Sequence, residues 1–117
     1  MKVMISQPMR GRKEEDIKKE REDIIEKFNK LHIEVVDTMF TDDPTETLKD
    51  INMGVYWLSK SIEALSKVDA LYMCSGWQQA RGCRIEREIA SQYGIKILED
   101  NFLEPNVVNV ARAVSDN

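Results

Sequence analysis

The sequence predicts an α/β fold: a single Rossmann-like or flavodoxin-like domain over residues 1–117, with a parallel sheet of four or five strands and helices on both faces. Three observations predict it. Short apolar runs of strand length alternate along the chain with longer stretches of helical spacing, as in a parallel sheet built from right-handed crossovers. The strand centres are apolar throughout rather than at every second position, which fits strands covered on both faces. No linker, low-complexity tract or internal repeat divides the 117 residues, a length that suits one core.

Residues 2–6 read as the first strand, centred on Val3-Met4-Ile5, and Gln7-Pro8-Met9-Arg10-Gly11 breaks it. A helix follows over roughly 13–31, with an apolar stripe at Ile17, Ile24, Ile25, Phe28 and Leu31. Glu14, Glu15 and Asp16 suit its positive end. The mixed charges on its other face read as a solvated surface with i,i+4 pairs. Residues 33–38 form the second strand, and 39–50, with Pro44 and several Thr and Asp, form a loop long enough to cover a site. Residues 53–67 are helical by the spacing of Val55, Leu58, Ile62 and Leu65. Residues 68–74 make the third strand, which Ser75 and Gly76 stop. The next helix runs over 82–93 and is capped by Gly94. Residues 95–98 are the fourth strand. Val107, Val108, Val110, Ala111 and Val114 then predict a short closing helix begun at Pro105.

Composition excludes several classes. A net charge of -4 argues against a general binder of nucleic acid or membrane surfaces. No apolar run reaches the ~20 residues that span a bilayer, and the N-terminus enters a strand with no signal-peptide pattern. Cys74 and Cys83 are too few for a disulfide framework, so a reduced, cytoplasmic setting is expected. Neither G-x-G-x-x-G nor G-x-x-x-x-G-K-[ST] occurs, which disfavours dinucleotide oxidoreductases and P-loop NTPases. The only histidine, His32, is far in sequence from both cysteines, and no ligand pair has helical spacing; no metal and no cofactor are expected.

Ligands of such sheets bind beyond the carboxyl ends of the strands. The loops there with the most unusual content are 6–12 and 75–82, and both would converge on one site. Arg10-Gly11 precedes a helix, and Arg81, Gly82 and Arg84 begin another; Arg and Gly at a helix start suit a phosphate. Trp77 lies in the second loop, where stacking on a base, packing and a subunit contact are all open to it. On the 82–93 helix, with Ile85 set to zero, Ile89 falls at about 40°, Tyr93 at about 80° and Ala90 at about 140°. Glu86 falls at about 100°, inside that apolar arc. A carboxylate on the sheet-facing side of a first turn needs a reason, and it is the leading candidate for catalysis. Cys83, with no evident base, reads as a small buried thiol.

The segment from Lys2 to Gly11 resembles the opening strand and loop of the nucleoside 2-deoxyribosyltransferase superfamily. Its Arg10-Gly11 pair is especially similar to the branch that hydrolyses 2'-deoxynucleoside 5'-monophosphates. Val68-Asp69-Ala70 is similar to that family's Ala-Asp-hydrophobic strand entry. Gly82-Cys83-Arg84-Ile85-Glu86, with Gly94 beyond, is similar to its Gly-x-Gly-Tyr-Glu segment and the glycine that follows. Short, often phage-borne members with a Gly-Trp…Arg-Gly-x-Arg-x-Glu signature resemble the chain most.

The resemblance implies that Glu86 is a nucleophile attacking the anomeric carbon, as in retaining glycosidases. It implies that Arg10 and Gly82 hold a 5'-phosphate. Ser6, Gln7, Pro8, Met9, Gly11, Trp77, Arg81 and Arg84 complete the expected substrate-binding set. Two positions depart from the family. Its first-strand tyrosine is Met4 here, and the aspartate that assists the departing base aligns at or near Ser61. Ser61 falls at about 240° from Val55, within the apolar arc of its helix, but a hydroxyl is not an acid at neutral pH. Glu63 points to the opposite side.

The expected function is a nucleotide N-glycoside hydrolase or deoxyribosyltransferase acting on a 5'-phosphorylated (deoxy)nucleoside. The alternative is a non-catalytic protein that senses or sequesters a nucleotide ligand. The expected partner is a small-molecule nucleotide or nucleoside, with no nucleic acid and no membrane. A homo-oligomer, a dimer or a multiple of it, is expected from the resemblance and from the aromatic residues Tyr56, Trp57 and Trp77.

Overall fold

The computed structural model describes residues 1–36, 38, 50–99 and 102–103. They form a four-stranded, wholly parallel sheet with helices on both faces. In chain order the elements are β1 (Lys2–Ser6), α1 (Glu14–Lys30), β2 (Glu34–Val36), α2 (Met53–Leu65), β3 (Ala70–Met73), α3 (Arg81–Gln92) and β4 (Lys96–Leu98). A 3-10 turn at Trp77–Gln79 leads into α3. Most of the predicted loop 39–50 and the predicted closing helix from Pro105 lie outside the described residues.

Strand order is β2-β1-β3-β4. The two central strands are the continuously apolar ones, Val3-Met4-Ile5 and Ala70-Leu71-Tyr72-Met73, all buried. Alternate residues feed two cores. Val3, Ile5, Ala70, Tyr72 and Cys74 pack with Ile24 and Phe28 of α1 on one face. Met4, Leu71 and Met73 pack with Ala64 and Leu65 of α2 and Cys83 and Ala90 of α3 on the other. Phe28 meets the Tyr72 ring edge-on, 5.3 Å between centroids. Among the described residues no helix is long and apolar enough to cross a membrane.

The structure changes how two helices face. On α3 the buried residues are Cys83, Glu86 and Ala90, so the sheet-facing arc centres near Glu86. Ile85 is at its edge, 36% exposed, and Tyr93, past the last helical turn, is 80% exposed. On α2 only the carboxyl-terminal part of the apolar stripe reaches the core. Leu65 is buried, but Val55 is 61% exposed and Ile62 36%. Within α2 and α3 the exposed large apolar side chains include Val55, Ile62 and Ile85, whereas Tyr56, Trp57 and Trp77 are each half-buried. On α1 the buried line Ile17, Ile24 and Phe28 includes a charged member, Arg21, which donates from Nη2 to Thr38 Oγ1 at 3.0 Å.

Candidate active site

The sheet order creates the cleft. β1 leads by way of α1 to β2 on one side, while β3 leads by way of α3 to β4 on the other, so the loops leaving β1 and β3 part company above adjacent strands. Ligands of open α/β sheets bind at this kind of reversal. The register pairs Ser6 with Met73, which brings the two loops out side by side. Between them lies a cleft of about 590 Å³. Gln7, Pro8, Met9 and Arg10 form one wall, and Gly76, Gln79, Ala80 and the first turn of α3 form the other. Ser61 comes in from α2. Gly76, at φ +87°, makes the turn out of β3, a conformation that side chains resist.

Glu86 lies within this cleft and is only 7% exposed. The Ser6 hydroxyl donates to its Oε1 at 2.9 Å. Removal from water dominates the carboxyl's chemistry and pushes its pKa up to about 7, the Ser6 hydrogen bond offsetting part of the effect. Cys83 lines the same cleft, and burial, together with the Glu86 charge, pushes its thiol up, Ser6 offsetting part of the effect. Ser6 is thus the residue that holds Glu86 from β1, while Met4 is in the core, 1% exposed.

Positive charge stands around the rim. Arg10, Arg81 and Arg84 line the cleft and are exposed. Arg84 donates from Nη1 to the Gln78 carbonyl at 2.7 Å; Arg10 and Arg81 form no ion pair with the described residues. The two helix starts differ. α1 begins behind Lys13 with Glu14, Glu15 and Asp16 in its first turn, so its positive end already faces acids. α3 begins behind Ala80 with no side-chain cap and no acid in its first turn, leaving backbone N–H groups beside Arg81 and Gly82. Arg10 therefore belongs to a loop guanidinium, not to a helix-end site, and the helix-end site is that of α3.

The structure brings together Glu86, Ser61, Gln7, Pro8, Met9, Arg10, Arg81, Gly82 and Arg84. Ser6 sits behind them against Glu86. Gly11, φ +77°, turns the β1 loop but does not line the cleft. Trp77 does not line it either: the Arg87 guanidinium covers its ring at 4.6 Å, and its body packs on the core. Glu63 is on the surface near Lys67, away from the cleft. Sequence reasoning missed the Ser6–Glu86 bond and the place of Cys83 in the cleft. A buried thiol three residues before a buried carboxylate, one helical turn away, was the available signal.

A family model described as a domain of unknown function (DUF4406) matches residues 1–99. No curated protein and no solved structure matches the chain.

Proposed function

The chain belongs to the family described as a domain of unknown function (DUF4406), and from the site itself we propose that it is a nucleotide N-glycoside hydrolase or deoxyribosyltransferase with Glu86 as nucleophile. The observation that carries this reading is the buried Glu86 carboxyl inside a cleft rimmed by Arg10, Arg81 and Arg84. A sugar seated over the carboxylate, with its 5'-phosphate among the arginines, puts the anomeric carbon within reach of attack. The ionised carboxylate forms a bond to that carbon as the carbon–nitrogen bond breaks. The base leaves with the bonding electron pair and takes up a proton, which the Ser61 hydroxyl is placed to relay from water. Water, or a second base in a transferase, then attacks the same carbon and gives up a proton to solvent, while the carbon–oxygen bond of the ester breaks and its electron pair returns to the Glu86 carboxylate. Ser6 holds the carboxylate throughout.

Incubation with the four 2'-deoxynucleoside 5'-monophosphates, NAD and related nucleotides tests the reading. Free base, followed by chromatography at stoichiometric protein, is the expected product, and none from any of them removes the enzyme. A second reading, a nucleotide sensor or sequestering protein, is favoured by one observation: α2 presents Ser61, not an acid, to the cleft. Mass spectrometry of a copurified nucleotide recovered intact after long incubation would support it. Under either reading Arg10→Ala should weaken binding of the monophosphates by about 10- to 150-fold, the range for a hydrogen bond to a charged group. Isothermal calorimetry measures this, and unchanged affinity counts against the pocket.

The same proposal includes a homodimer in the cytoplasm. The apolar groove of Gly54, Val55, Leu58 and Ile85 shares Arg81 and Gly82 with the cleft, so a partner docked on it would border the ligand. A sizing column run at micromolar concentration should show a dimer or a multiple of it, and a monomer contradicts the claim.

A further inference from the structure

The loop that carries Arg10 is fastened from behind, by α1. Gln7 Nε2 donates to the Ile17 carbonyl at 2.8 Å and to Glu20 Oε1 at 2.8 Å. The same Glu20 oxygen accepts from Arg12 Nη1 at 2.9 Å, and Arg12 Nη1 also donates to the Pro8 carbonyl at 2.8 Å. The Arg12 amide donates to the Met9 carbonyl at 3.2 Å and closes a four-residue turn. Gly11 takes the third position of that turn at φ +77°, where a glycine is favoured. Arg10 takes the second position, at the exposed tip. Both ends of the loop therefore meet at one carboxylate oxygen, and the Arg10 side chain, which lines the cleft, takes part in none of these bonds.

The network has one polarity. Nε2 of Gln7 faces two acceptors, so the amide has a single sensible orientation. Glu20 Oε1 accepts from an amide and a guanidinium at once, one on each lone pair. It lines no part of the cleft.

We propose that Glu20 is a positioning residue for ligand binding: it holds the loop from Gln7 to Arg12 in the shape that presents Arg10 to the cleft, and through Arg10 it sets the preference for phosphorylated over unphosphorylated ligands. The inference rests on the nucleotide reading of the cleft. A loop that must be ordered on binding draws that ordering from the affinity, and the loss falls on the group the loop delivers.

The test compares affinities for the four 2'-deoxynucleoside 5'-monophosphates with those for the matching deoxynucleosides, by calorimetry. Glu20→Ala should lower the phosphate preference by about 10- to 100-fold, as displacement of a remote support does, with deoxynucleoside affinity unchanged. Glu20→Gln, which keeps an acceptor, should restore much of the preference. Arg12→Ala cuts the same anchorage from its other end and should repeat the loss. Adding Glu20→Ala to Arg10→Ala should lower the preference no further, because both act through one group. A purely structural role would instead add, or would weaken both ligand classes alike, and either result overturns the inference. A preference lost in Arg10→Ala but kept in Glu20→Ala removes this inference alone. A wild-type protein with no phosphate preference removes the nucleotide reading and this inference with it.

Discussion

Glu86→Gln is expected to stop base release, lowering turnover by at least about 10³-fold, as removal of a nucleophile does. The substitution isolates the charge. Glutamine has nearly the same shape, and its carbonyl still accepts from Ser6, which now donates at 2.9 Å. The neutral amide does not form the glycosyl ester, so what remains is binding without a covalent route. Nucleotide affinity should hold or rise, since an anion near the ligand is gone. Chromatographic assay of free base, beside calorimetry on the same preparation, separates the two effects. Base release at the wild-type rate would take the nucleophile away from Glu86, whereas loss of binding and release together would point to a damaged cleft. Intact-mass spectrometry adds an independent reading: a sugar phosphate adduct is expected on the wild type and not on the variant.

Much of the frame was legible because its signals are local. Val3-Met4-Ile5 and Ala70-Leu71-Tyr72-Met73 are apolar at consecutive positions, and they are the two central strands, covered on both faces. The proximity of residues 7–10 and 76–82 follows from parallel pairing and a reversal in strand order, so the topology converges loops that are far apart in sequence. The rest depends on pairings that spacing does not encode. Ser6 and Glu86 meet across eighty positions, and only the register of β1 with the α3 side of the sheet decides that they do. Glu20 reads as one more acid on a charged helix face, yet it gathers Gln7 and Arg12. Arg21 breaks the apolar line of α1 and is still 4% exposed. The stripe on α2 was visible as helical spacing, but spacing does not tell a residue that packs on the sheet from one left exposed; Val55 and Ile62 are exposed.

The same carboxyl should also govern how stability varies with pH. Its ordinary value is 4.5, and in the folded cleft it is pushed up to about 7. Below 4.5 the group is protonated in both states and contributes no difference. Between the two values the unfolded chain is ionised while the folded one keeps its proton, so stability falls as pH rises. Above about 7 both are ionised and the full penalty applies, about 3 kcal/mol from the separation of the two values. Glu86→Gln has no such proton to lose. It should match the wild type at pH 4 and exceed it by about 3 kcal/mol at pH 8, measured by urea denaturation at the two pH values. Every other titrating group is common to both proteins, so the difference isolates this one. Activity should run the opposite way in the wild type, rising through pH 7 to a plateau, because attack requires the ionised form. The chain is then least stable where it is most reactive, as expected if the cleft holds a charge for chemistry at the fold's expense. Equal stability of the two proteins at pH 8 would mean that the folded site accommodates the carboxylate without strain, and the buried acid would lose its claim to be anything but a structural hydrogen-bond acceptor for Ser6.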